Sequence, residues 1–185
     1  VLIYFIDHFA SSIRGEYIVA RVARDLESML SSASAHAVGA EPPAGYTHPV
    51  FPIDEAHIVP CARNGYLQKV DYDALFQLAN RFDFVIRIER SPGEFVLAGS
   101  PLATIRDRAA PTAETIAEIQ VSFYLGRART VEQDVKFLFD KLVETGTRSM
   151  SAAINDPFTA MLCLDRLAEG LRLLSKRPEP SPLRL

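Results

Sequence analysis

Cysteine is scarce in this chain: Cys61 and Cys163 are the only two among 185 residues. Neither sits in a C-x-x-C or comparable spacing, which excludes a thiol-built zinc site or a thioredoxin-like redox motif. So few thiols call for no oxidising compartment. Cys163, set among Met161, Leu162 and Leu164, reads as a small buried hydrophobe. A charge excess of one sign is also lacking. The formal net charge is −3, so no basic field invites nucleic acid or an anionic lipid surface. Long apolar runs are missing too. The N-terminal VLIYFI has six apolar residues, whereas a membrane-spanning helix needs about 20. It has neither the charged leader nor the small-residue cleavage site of a secretory signal. Catalytic constellations are absent as well: no serine occupies a nucleophile elbow, and His8 and His57 stand far from any partner. His36 and His48 lie in a Ser/Ala/Gly/Pro tract without a carboxylate or thiol at ligand spacing, so no metal site is expected there.

What is present describes an ordinary globular chain, 48% apolar and 23% charged, long enough for one domain or two small ones. Residues 1–32 carry apolar side chains at three- and four-residue steps, including Phe5, Phe9, Ile13, Tyr17, Ala20 and Met29, and read as one helix. The chain starts at Val1 rather than at a methionine, as a processed or excised piece would. VLIYFI is then either the buried end of an amphipathic helix or the last turns of a transmembrane one. In the second case Arg14, Arg21 and Arg24 place this segment on the cytoplasmic side. Residues 33–56 read as a linker.

Residues 57–108 change character. HIVPCA, YLQKVD, FVIRIE and FVLAGSPLATI are short strand-like runs punctuated by RNG, SPGE and Gly99-Ser100-Pro101. Asp71 caps an inserted helix, YDALFQLANRF. Such punctuation predicts a small bent β module, of barrel or sandwich type. GYLQKVD with GEFVLAGSPLATI resembles the two half-motifs of biotinyl- and lipoyl-type modules. A carrier, however, needs a lysine at a hairpin tip, and the lysine here, Lys69, lies inside a strand pattern. Residues 109–176 read as mainly helical, with IQVSFYLG as one further strand. Thr130 and Gln133 form a T-x-x-Q capping box for a helix running to about Met150. The last helix starts at Asp156 and places Met161, Leu164, Leu167, Leu171 and Leu174 on one face, with Phe158 and Met161 opening its buried side. Residues 177–185, rich in proline, read as a disordered tail.

Two stretches could carry chemistry. In GRARTVEQD, Arg127 and Arg129 precede a helix N-terminus, where an anion would be favoured; alternatively they bridge to Asp134, Asp156 or Glu132. In INDPF, Asn155 and Asp156 could hold a ligand, although Asp156 as N-cap and Pro157 in the first turn account for the pattern structurally. Arg127, Arg129, Asn155 and Asp156 are therefore the candidate ligand-binding residues, with no catalytic residue, metal or cofactor expected.

Several blocks together resemble a bacterial family of predicted membrane proteins, domain of unknown function 2254. They are LIYFIDHFASSI, GYLQKVDYDALFQLA, RSPGEFVLAGSPLA and, most specifically, GRARTVEQDVKFLFDKLVETGTRSMSAAINDPFTAMLCLDRL. The resemblance implies transmembrane helices preceding this part and brings no activity with it. Relatives often read L-S-P-G-I-N-D-P where this chain reads MSAAINDP, with Ala152 and Ala153 in place of Pro-Gly. The expected object is an α+β domain: a long N-terminal helix, a bent β module with one inserted helix, and a C-terminal helical hairpin. Its expected role is the cytoplasmic part of a multi-pass inner-membrane protein, serving assembly or regulation, with a link to transport or channel activity. The alternatives are an enzyme or anion-binding domain using Arg127, Arg129, Asn155 and Asp156, and a ligand-free homo-oligomeric scaffold. No nucleic-acid partner is expected.

Overall fold

The structure is a computed structural model that describes residues 15–32, 39, 43, 46, 56–106 and 110–177. The expectations for VLIYFI and Arg14, for most of the linker, for the tail beyond residue 177, and for His8, His36 and His48 fall outside these residues. The chain divides into two compact units. Among the described residues, one holds 15–32 and 135–177, and the other holds 39, 43, 46, 56–106 and 110–134. The elements, in order, are α1 (Gly15–Ser32), β1 (Ala56–Pro60), β2 (Gly65–Val70), α2 (Tyr72–Phe82), β3 (Val85–Ile88), β4 (Phe95–Val96), β5 (Pro101–Arg106), α3 (Ala113–Val121), β6 (Phe123–Gly126), α4 (Val135–Ser149) and α5 (Pro157–Ser175). The fold class is α+β. Among the described residues, no helix is long and apolar enough to cross a membrane.

In the β unit the strands form two antiparallel three-stranded sheets, ordered β1-β5-β3 and β4-β2-β6, and not a closed barrel. Both sheets and both helices feed one core, built on Val59, Leu67, Val70, Leu75, Leu102, Ile105, Ile119 and Phe123. The module extends beyond residue 108: α3 and β6 return to it, with β6 pairing to β2 and the Gln120 side chain donating to the Pro60 carbonyl at 2.7 Å. Strict alternation along β2 would put Tyr66, Gln68 and Val70 on one side and Leu67 on the other. Instead Leu67 and Val70 are both buried, because the β2–β6 register shifts between Leu67 and Lys69. A bulge of this kind inserts an unpaired residue and turns the following side chain over. Asp71 caps α2 as expected, accepting from the Ala74 N–H at 3.0 Å.

The helical unit packs α1, α4 and α5 around Val19, Leu26, Leu30, Leu138, Leu142 and Cys163. On α1 the buried stripe is Val19, Leu26 and Leu30, while Tyr17 and Ala20 are exposed. Burial pushes the Cys163 thiol pKa up, as removal from water disfavours the thiolate. The last helix runs where the sequence places it, and Leu167 of the expected face packs against the core, but the buried face is turned away from the rest of that stripe. Phe158, Met161 and Leu164 are 79%, 61% and 65% exposed, and Thr159, Cys163 and Gly170 point inward. The reason is distance. A Cβ on Gly170 would meet Leu26 and Phe139, and one on Gly146 of α4 would stand 3.2 Å from the Cys163 Cβ. The helices approach too closely for large side chains, so the small ones occupy the contact and the large ones are turned outward.

Candidate functional site

The loop from Arg127 to Asp134 leaves β6 and folds back along β2, and it is anchored by side chains. Gln68 donates its amide N–H to the Ala128 carbonyl at 2.6 Å. Gln133 brackets the Val70 peptide: its Oε1 accepts from the Val70 N–H at 2.8 Å and its Nε2 donates to the Val70 carbonyl at 3.1 Å. The expected capping box is therefore not formed. Gln133 is committed to β2, α4 starts at Val135, and Thr130 Oγ1 is enclosed without a hydrogen-bond partner. Two hydrogen bonds to a strand peptide outweigh one bond to a helix N–H.

At the loop's end Asp134 is 4% exposed, and Arg129 Nε donates to its Oδ2 at 2.8 Å. The carboxylate rests against Gly93, which has φ +97° in the Ser91–Glu94 turn. That turn is fastened to β2 on both sides, with Gly93 N–H donating to the Leu67 carbonyl and Leu67 N–H to the Glu94 carbonyl. The bridge from an arginine to Asp134, one of the two readings of GRARTVEQD, is thus present for Arg129. Arg127 is exposed to solvent.

INDPF lies in the other unit. Asn155 takes a left-handed conformation, φ +47°, and its N–H donates to the Ser151 carbonyl at 2.8 Å. Asparagine tolerates that region better than most residues. Asp156 caps α5: Oδ1 accepts from the Thr159 N–H at 3.1 Å and Oδ2 from the Thr159 hydroxyl at 2.6 Å. These bonds, the hydroxyl's first, hold its carboxyl below the usual aspartate range. A lowered folded-state pKa means the cap contributes stability above the pKa of unfolded aspartate. That contribution is lost as pH falls through the folded value. The Thr159 amide shift should titrate with a midpoint below the roughly 3.9 of free aspartate, and Asp156→Asn should keep the helix start while removing this titration. An unshifted midpoint would contradict the assignment.

Of the four candidate residues, then, Arg127 and Arg129 belong to the β unit, and Asn155 and Asp156 to the helical unit. Arg129 and Asp156 each have local structural partners. The roles of Gly93 and Gln133 in fastening the loop were not foreseen from sequence. Elsewhere, an open groove of about 390 Å³ between α2 and α3 is lined by Gln77, Arg81, Glu118 and Ser122, with an Arg81–Glu118 ion pair at 3.5 Å. Among the described residues, no group of three or more His, Cys, Asp or Glu is placed to hold a metal ion.

Comparison with known proteins gives relatives but no activity. An uncharacterised protein of Mycobacterium tuberculosis and another of Mycobacterium bovis are each 27% identical over 187 residues, matching 99% of this chain. The chain spans 36% of the length of these relatives. No solved structure matches it. The family model described as "Predicted membrane protein (DUF2254)" matches residues 1–185, and the chain belongs to that family.

Proposed function

We propose that this chain is the cytoplasmic assembly domain of an integral membrane protein whose spanning helices lie in the rest of the full-length protein. The observation that carries the reading is a water-facing surface in a member of a membrane-protein family. Helix α4 bears Lys136–Asp140, Lys141–Glu144 and Arg148–Glu144 ion pairs, with Lys136 79% and Arg148 74% exposed. Single pairs of this kind contribute little stability, yet such a ladder suits water and not lipid. Exposed Arg21 and Arg24 on α1 favour the cytoplasmic side.

The full-length protein should sediment with membranes and resist alkaline and high-salt washing. A fluorescent-protein fusion joined directly after Leu185 should glow, while an alkaline phosphatase fusion at the same point stays inactive. Release by washing would overturn the membrane reading, and active phosphatase would overturn the cytoplasmic one. A transport or channel role would belong to the membrane part, with this domain controlling how subunits assemble.

A further inference from the structure

A net charge of −3 conceals a local field of the opposite sign. Residues 59–70, 95–106 and 119–131 supply the sheet β4-β2-β6 and its flanking loops. Together these segments contain Arg63, Lys69, Arg106, Arg127 and Arg129, and not one aspartate or glutamate. Arg129 is spent on Asp134, but Arg63, Lys69 and Arg127 are exposed. The Arg63 guanidinium donates to the Leu125 carbonyl at 2.7 Å, which sets it at the end of β6, close to Arg127 in the chain. Glu94, beside Phe95, is engaged by Arg90 and by the Ser91 N–H.

The same sheet turns aromatic rings to water. Leu67 and Val70 of β2 and Phe123 and Leu125 of β6 pack on the core, so Tyr66 and Tyr124 face outward. Tyr66 and Phe95 are cross-strand partners whose rings meet edge-on at 5.1 Å, and the Lys69 ammonium stands 5.7 Å from the centre of the Tyr124 ring. Phe95 and Tyr124 are 56% and 49% exposed, and Leu97, just past β4, is 57% exposed. The Asn64 side chain accepts from the Ala98 N–H at 2.7 Å, which brings Leu97 beside the loop that carries Arg63. Apolar tips, phenol rings and cations without acids are the composition of a protein surface at a membrane–water interface.

We propose that this end of the β unit rests on an anionic lipid surface, with Phe95 and Leu97 entering the headgroup layer and Arg63, Lys69 and Arg127 pairing with lipid phosphates. Charge complementarity selects the partner. The cytoplasmic leaflet is anionic, and each basic residue at its surface strengthens binding about fivefold. Nucleic acid fits less well. A polyanion is held by many phosphate contacts, and three exposed cations on a chain of net charge −3 supply few. Leu97 has no ring on which a base could stack, whereas an aliphatic tip suits the acyl boundary. In the full-length protein a membrane anchor would hold this surface near lipid, so that even weak binding is made effective by proximity. The inference goes beyond the proposed location, since a domain on the cytoplasmic side need not touch lipid.

The 185-residue chain is sedimented with sucrose-loaded phosphatidylcholine vesicles, made with and without phosphatidylglycerol. Binding to the phosphatidylglycerol vesicles should exceed binding to pure phosphatidylcholine at least about tenfold. That preference should fade in about 1 M salt, where screening acts within about 3 Å. Arg127→Glu and Leu97→Asp, both at exposed positions, should each weaken binding at least about tenfold while leaving the circular dichroism spectrum and thermal melt unchanged. Arg172→Glu, the same charge reversal on α5 of the helical unit, should bind as the wild type does. The chain has no tryptophan, so Leu97→Trp supplies a single reporter whose emission should shift to the blue on the anionic vesicles. No binding, equal binding to both lipids, folded variants that bind like the wild type, or an unshifted Leu97→Trp emission on bound protein would each overturn the proposal. So would tighter binding of a single-stranded oligonucleotide that displaces the vesicles, since the surface would then serve nucleic acid. Failure of the full-length protein to stay with membranes would leave these vesicle outcomes standing and would count against the proposed location alone.

Discussion

Gly93→Ala should destabilise the β unit by about 3 kcal/mol or more, combining left-handed backbone strain with disruption of a buried ion pair. Gly93 holds φ +97°, and a methyl group there would collide with the Asp134 carboxylate. That carboxylate cannot retreat to water without leaving Arg129, and the arginine sits in the loop that Gln133 ties to β2. Gly99 supplies the control. It too has a positive φ, +83°, but nothing lies within 4 Å of its added Cβ. Gly99→Ala should therefore cost only the backbone term, about 1–2 kcal/mol. Denaturant unfolding of both variants reads the difference, and equal losses would show that Asp134 moves aside freely.

Leu142→Ala should cost the helical unit about 2–5 kcal/mol, the range for emptying a leucine-sized space in a packed core. Leu142 is 0% exposed and meets the α1 and α5 side of the bundle beside Leu138 and Cys163. Its neighbour Val143 is 53% exposed, and Val143→Ala should change stability by no more than about 0.5 kcal/mol. Because each unit has its own core, residue-resolved amide exchange is the suitable readout. Leu142→Ala should accelerate exchange in α1, α4 and α5 before it does so in the strands. Uniform acceleration throughout would mean that the units unfold as one.

The parts of the fold legible in the sequence were those set by local rules. Asp71 and Asp156 are caps because a carboxylate placed before an apolar-periodic segment satisfies the first free N–H groups, and that pattern is visible without tertiary structure. The strands followed from alternation and from turn residues such as Pro92-Gly93. The α5 face was misread because periodicity finds where large apolar residues recur, and here the close contact selected small ones instead. The T-x-x-Q signal misled for a related reason. Gln133 had a competing partner in the Val70 peptide, 63 residues away, which no local pattern reveals. The Arg129–Asp134 bridge was one of the pairings that the sequence offered, and the structure contains it.

The order of elements has a consequence for how the chain reaches this structure. Helix α1 ends at Ser32 and its partners α4 and α5 begin at Val135 and Pro157, with the whole β unit encoded between them. On the ribosome α1 must wait, apolar stripe uncovered, until more than half the chain has been made. Closing so long a flexible loop costs on the order of 4 kcal/mol. A β unit that has already folded shortens the effective loop by bringing its two ends to fixed positions. Early collapse of the strands should thus act as the clamp that lets the helices meet. Variants that slow the β unit, Gly93→Ala among them, should delay the appearance of helical protection even though no residue of the three helices has changed.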